Sequence, residues 1–343
     1  MQIKYLISRV AKSLKNLSKL ERFLLFVRLA SLCSAFVFGL VALIGPVFNN
    51  GLYMTRINTA HLEVSNGLYN SLRNSVSSAS SILGETDSGY APMGDSLTNS
   101  EIKLLTDYAE AQVAGAPQYC TSTLWTWCIG DYDTYNVIGR NGKVVQKKKN
   151  EVLTCTKKTH YTLDYRLQLE AMGLESILAY AYETQVLKNS QYDQAIDKRT
   201  NRLTLALNGV IFLCCAELVL LFSTLVIYSN RGNERDLSKI PNVVLHALAV
   251  VSVMACLSSI IGSSVITNLL LITKNEVSQK LDDFGVRFER GATWFTLLWF
   301  STVCSIISMF SWGLPMWCAN PPQEERRHKL EDSVFVGRYT QYF

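Results

Sequence analysis

The chain has 343 residues, with 33 Lys and Arg against 28 Asp and Glu, nine cysteines and four histidines. A net charge of +5 gives no ground for nucleic-acid binding, and His61, His160, His246 and His328 do not cluster as a metal centre requires. No P-loop, dinucleotide fingerprint, zinc spacing or nucleophile elbow occurs, so a non-catalytic protein without a cofactor or metal is expected.

Residues 1–22 are basic, with Lys4, Arg9, Lys12, Lys15, Lys19 and Arg22. The first apolar run, 23–47, is long enough to span a bilayer, for which about 20 residues suffice. It is too long for a signal-peptide core and lacks a small-x-small cleavage site, so it reads as a retained signal-anchor. Three more spans are expected at 203–228, 243–272 and 293–319. They leave a linker at 229–242, a short loop at 273–292 and a tail at 320–343. The linker and tail are basic like the N-terminus (Arg231, Arg235, Lys239; Arg326, Arg327, Lys329). By the positive-inside rule both termini are cytosolic, and residues 48–202 form a large extracellular loop.

Within that loop, Asn66 to Gly89 is polar and rich in Ser, Gly and Asn. Thr98-Asn99-Ser100-Glu101 starts a helix whose spacing runs to about Val113. A second helix is expected over Leu163–Leu187, and Lys188–Arg202 leads into span two as a helical extension. Between them lies Tyr119-Cys120-Thr121-Ser122-Thr123-Leu124-Trp125-Thr126-Trp127-Cys128, answered by Cys155. Asn141-Gly142 favours a two-residue hairpin turn. A register running outward from it sets Cys128 opposite Cys155, within disulfide reach. Gly130 or the Lys147–Lys149 run would be the places for a bulge. The alternative is a Cys120–Cys128 bridge across a short loop. The odd thiol stays reduced or pairs with a partner chain. Trp125 and Trp127 alternate, so on one strand they share a face, either in the core or as a contact platform. The loop has no Asn-x-Ser/Thr acceptor, and no N-glycan is expected there.

Within the spans, Glu217 is the one acid at mid-depth, a costly position that marks packing, a partner contact or ion handling. A neighbouring Ser, Asn or His would satisfy it, with Asn208, His246 and Asn268 as possible partners. Small residues at Ser34, Ala35 and Gly39, and from Ser258 to Ser264, fit close helix approach within the chain or to another protein. Trp294 and Trp317 sit where interface anchors belong. The fold expected is an α-helical membrane protein: a four-helix transmembrane bundle of the left-handed type. Its extracellular first loop is an α+β domain, with a small antiparallel sheet closed by a disulfide.

Leu124-Trp125-x-x-Cys128 with Cys155, a short basic N-terminus and four spans resemble the claudin-like superfamily. The family glycine before the leucine is replaced by Thr123, and Cys120 is extra. The long first loop resembles the fungal branch, which holds PalI-type and eisosome-associated proteins and calcium-channel gamma-subunit-like members. The layout is most similar to the claudin-like accessory subunit of the yeast high-affinity calcium influx channel. That resemblance implies a plasma-membrane auxiliary subunit whose partners are a large multi-span calcium channel pore subunit and membrane lipids. The alternatives are a scaffold of plasma-membrane domains supporting the cell wall, and a self-assembling pore or transporter using Glu217.

Overall fold

The structure, a computed structural model, describes residues 19–49, 51–70, 99–138, 144–157, 163–182, 190–230 and 241–317. The N-terminal basic segment up to residue 18, most of the polar stretch after Asn70, the Asn141-Gly142 turn, the linker at 231–240 and the tail lie outside these residues.

In chain order the elements are α1 (Lys19–Phe48), β1 (Thr55–Asn58), α2 (Asn99–Val113), β2 (Tyr119–Ser122), β3 (Thr126–Ile138) and β4 (Val144–Lys157). They continue with α3 (Tyr165–Ala171), α4 (Glu175–Tyr182), α5 (Ser190–Asn230), α6 (Asn242–Leu281), β5 (Arg287–Arg290) and α7 (Ala292–Trp317). Four helices are long and apolar enough to cross a membrane, over Arg22–Phe48, Tyr192–Tyr228, Val243–Phe284 and Ala292–Gly313. At 41 and 40 residues, α5 and α6 are each about 60 Å long, twice a hydrocarbon core of about 30 Å. The surplus in α5 is the polar stretch before Leu203, which continues the helix as the sequence suggests.

The chain divides into two compact units. A bundle unit comprises Met1–Gly39, Val210–Ile260 and Phe300–Phe343. A sheet unit comprises Leu40–Gly209 and Ile261–Trp299.

The sheet unit holds an antiparallel five-stranded sheet in the order β4-β3-β2-β1-β5. Its disulfide joins Cys128 to Cys155, with Cα atoms 4.1 Å apart. The expected pair forms, but by another route than a symmetric two-residue turn. Near the tip Ile138 faces Val144, one residue out of step with such a turn. A bulge between Ile129 and Gly130 leaves Leu153 without a cross-strand partner and resets the register, so that Cys128 faces Cys155. Gly130 is required at that kink. A Cβ there would lie 2.2 Å from the Glu151 carbonyl oxygen and 2.3 Å from the Tyr119 hydroxyl.

Two strands escaped the sequence reading. β1 and β5 pair as Thr55↔Arg290 to Asn58↔Arg287, so the loop between the third and fourth apolar helices completes the sheet. Val286 and Phe288 are buried while Arg287 and Arg290 are exposed, a short alternation flanked by Gly285 and Gly291. Gly285 takes φ +77°, and a Cβ there would strike the His61 carbonyl at 1.9 Å.

The single helix expected over Leu163–Leu187 is two. Asp164 caps α3 by accepting from the Arg166 and Leu167 N–H groups. Gly173, at φ +79°, then ends it: its N–H donates to Glu170 O and that of Leu174 to Leu169 O, the double bond of a left-handed C-terminal cap.

Candidate functional site

The Leu124-Trp125 motif is a turn, not a strand. Thr123, standing where the family carries glycine, holds it: its hydroxyl accepts from the backbone N–H of Thr126 at 3.0 Å and of Trp125 at 3.3 Å. Leu124 is buried. Because β3 begins at Thr126, Trp125 and Trp127 do not share a strand face, contrary to the alternation argument. Trp127 is on β3 and half-buried, whereas Trp125 is 36% exposed and donates its indole N–H to Leu43 O at 2.7 Å.

A second indole bond at the same end of α1 has a local cause. Pro46 lies inside α1 and has no N–H for the carbonyl four residues earlier, which belongs to Ala42. Trp294 supplies the missing donor, bonding Ala42 O at 2.8 Å. Two indoles from distant parts of the chain thus meet adjacent carbonyls at the end of α1. Trp294 is 1% exposed, so it is a buried strut and not the interface anchor its position suggested.

Cys120 is also buried, its Sγ 4.0 Å from Gln168 Oε1. It faces Ile129, whereas Cys128 faces Thr121, so the thiol projects to the sheet face opposite the disulfide. Burial removes the basis for pairing it with a partner chain.

The sheet unit also contains an aromatic and charged cluster. The Arg166 guanidinium lies between the rings of Tyr182 and Tyr192, 3.8 and 3.7 Å from their centroids. Tyr192 donates to Asp164 Oδ1 at 2.8 Å, and the Tyr165 and Tyr182 hydroxyls are 2.7 Å apart. Burial, then Tyr165, pushes the Tyr182 phenol well above its ordinary range. Arg199 binds both carboxylate oxygens of Glu276 in a two-pronged ion pair. Arg56 lies over Tyr53 and faces Tyr119 and Tyr132; burial raises both of the latter phenols.

In the bundle unit, Glu217 is fully buried. Ser305 donates to its Oε1 at 2.7 Å and Ser308 to its Oε2 at 3.4 Å. The serine option holds, but with serines of α7 that the sequence reading did not name. Asn208, His246 and Asn268 are exposed on their helices, and no bond from them to Glu217 is found. Ser301, Thr302, Ser305 and Ser308 form one buried stripe on α7. Ser301 donates to Ala35 O at 2.8 Å, and Ser259 donates to Thr302 Oγ1 at 2.9 Å. One helix therefore hydrogen-bonds α1, α5 and α6. The small-residue expectation holds at Gly39: a Cβ there would lie 2.8 Å from Cys214 Sγ and 3.1 Å from Ser301 Oγ. The missed signal was the helical spacing of Ser301, Ser305 and Ser308.

The bundle unit holds one further ionisable group the sequence reading passed over. Arg28 donates to Ser311 O and stacks on Trp312, 4.4 Å from the ring centroid. Among the described residues, no group of three or more metal-ligating side chains comes together.

A family model described as SUR7/PalI family matches residues 22–311. The chain belongs to that family. It meets the expectation of a fungal claudin-like four-span protein. The SUR7/PalI chain is also similar to Protein ECM7 of Saccharomyces cerevisiae, with 29% identity over 319 residues, covering 90% of this chain and 68% of that relative. No solved structure matches it.

Proposed function

We propose that this SUR7/PalI protein is an auxiliary subunit of a plasma-membrane calcium-influx complex, binding a large multi-span pore subunit. The reading rests on the resemblance in layout to the calcium-influx accessory branch; family membership and similarity to ECM7 support its broader part, a fungal claudin-like membrane protein. The observation that carries it over a self-assembling pore is the state of Glu217. Both carboxylate oxygens accept serine hydrogen bonds inside the chain, as in a packing node rather than a path lining. Ser301 and Thr302 of α7 are likewise used within the chain, bonded to Ala35 O and to Ser259. The outward faces of the spans are left to lipid or to apolar helices of a partner: Phe212, Val219 and Phe222 of α5 are 45%, 51% and 59% exposed. His246 and Asn268, polar and exposed on α6, would be contact points on such a face.

The test is mass spectrometry of what co-purifies with the intact chain in mild detergent, together with stimulated calcium uptake in a deletion strain. A large multi-span channel in the eluate and reduced uptake are expected. Normal uptake with an altered cell wall or membrane-domain pattern would favour a scaffold. Conductance from the purified chain alone in liposomes would favour a pore.

A further inference from the structure

Arg28, in the bundle unit, has no opposite charge in contact among the described residues. Its guanidinium meets a neutral carbonyl, Ser311 O, and the face of Trp312, with the neutral phenol of Tyr228 nearby. Its Nε is sealed from solvent and has no hydrogen-bond acceptor, and the same holds for the indole Nε1 of Trp312, a residue 3% exposed. Two N–H donors of one stack are therefore buried and unanswered, and one of them belongs to a cation. Stacking on an indole offsets only part of the cost of a desolvated guanidinium. A buried charge is expected to meet a counter-charge.

The surroundings narrow what that counter-charge is. Leu32, Leu220, Ile227, Leu245, Leu248 and Trp312 form one buried apolar cluster, so all four spans contribute to the walls. A hydrated ion would lose its shell there, whereas a lipid offers an anionic head joined to apolar tails. Arg28 lies five residues inside the expected start of the first span, a depth of about 8 Å, within reach of the headgroup layer for a side chain of its length. That end of the bundle carries the basic clusters that assign it to the cytosol, where the leaflet is anionic.

We propose that Arg28 and the Trp312 indole N–H form a seat for the phosphate of an anionic phospholipid between the spans. The guanidinium supplies charge and a directed N–H, and the indole supplies a second donor. The seat does not depend on which protein partner the chain has.

The experiment is thermal unfolding of the intact chain in mild detergent, titrated with dioctanoyl phosphatidic acid, dioctanoyl phosphatidylcholine or inorganic phosphate. Phosphatidic acid should raise the midpoint at a concentration about tenfold below that needed for phosphatidylcholine. Arg28→Gln should weaken the phosphatidic acid response about tenfold, and Trp312→Phe, which keeps the stack but removes the N–H, about threefold. Should Arg28→Gln fail to fold, Arg28→Lys and Trp312→Phe carry the test. An equal response to inorganic phosphate would mean a free-anion site and overturn the lipid assignment. An unchanged lipid response in the variants would overturn the seat itself. So would a lipid response that appears only when Glu234 and Asp236 of the linker are changed to Gln and Asn, since the chain's own acids would then fill it.

Discussion

In the sheet unit the groups that meet are charged, aromatic or covalently joined: Arg166 between two tyrosine rings, Arg199 with Glu276, Cys128 with Cys155. In the bundle unit they are hydroxyls, carbonyls and a glycine: Ser301 with Ala35, Ser259 with Thr302, Gly39 against Cys214. The difference follows from the solvent each is read to face. Beside water, a loop domain with a thin core gains from a crosslink and from rigid ion pairs and stacks. Inside lipid there is no hydrophobic force between helices, so close approach and short polar bonds do that work. Glu217 and Arg28 are the two exceptions in the bundle unit. One finds two donors within the chain, and the other finds no acid among the described residues.

The contrast can be broken at four places, in order of expected effect. Cys128→Ser should destabilise the sheet unit by about 3 kcal/mol, as expected for a loop of this size, and leave Cys155 open to alkylation without reductant. Limited proteolysis should show the loss confined to the loop; equal loss in the spans would erase the distinction between the units. Next, Ser305→Ala with Ser308→Ala strips both donors from a buried carboxyl and should cost about 2 kcal/mol in detergent unfolding. Glu217→Gln, which keeps a polar group among the same hydroxyls, should cost under about 1 kcal/mol; a larger loss would mean that the carboxylate itself is needed.

A third test concerns the tryptophans. Trp294→Phe should cost about 1.5 kcal/mol because it leaves Ala42 O without a donor. Pro46→Ala restores a backbone N–H for that carbonyl, so Trp294→Phe should cost about half as much in that background. Additive losses would refute the link. The smallest effect is a pH dependence. The raised Tyr182 phenol favours the folded, protonated form. Its contribution is full below about pH 10, where unfolded tyrosine titrates, and is lost as pH rises above that. Tyr182→Phe should flatten the alkaline fall in sheet-unit stability followed by tyrosine absorbance; an unchanged fall would assign it elsewhere.

The spans were legible because long apolar runs are a cooperative signal, whereas the disulfide pair came out right because a one-residue offset near the tip and the bulge at Ile129 and Gly130 cancel. β1 and β5 were not legible, since strands of four residues set their faces by pairing between distant ends of the chain rather than by their own pattern. The same holds for Glu217. Its depth singled it out, but its partners, Ser305 and Ser308, are ordinary residues until a neighbouring helix presents an acid to them. Trp294 shows the opposite error. Position near a span end suggested lipid, whereas its indole N–H bonds a carbonyl that a proline on another helix leaves without a donor.

The bulge that leaves Leu153 unmatched has a consequence for length. Deleting Leu153 would leave Thr154 opposite Ile129 and Cys155 opposite Cys128 in an unbroken ladder, so the crosslink would survive and only the kink would be lost. Extra residues inserted at 139–143 would leave the strand from Leu153 to Cys155 in step. The tip of this arm is therefore the place to graft an epitope, and the stretch between Val152 and Cys155, which already carries one surplus residue, is the place where a single inserted residue would turn Cys155 away from Cys128.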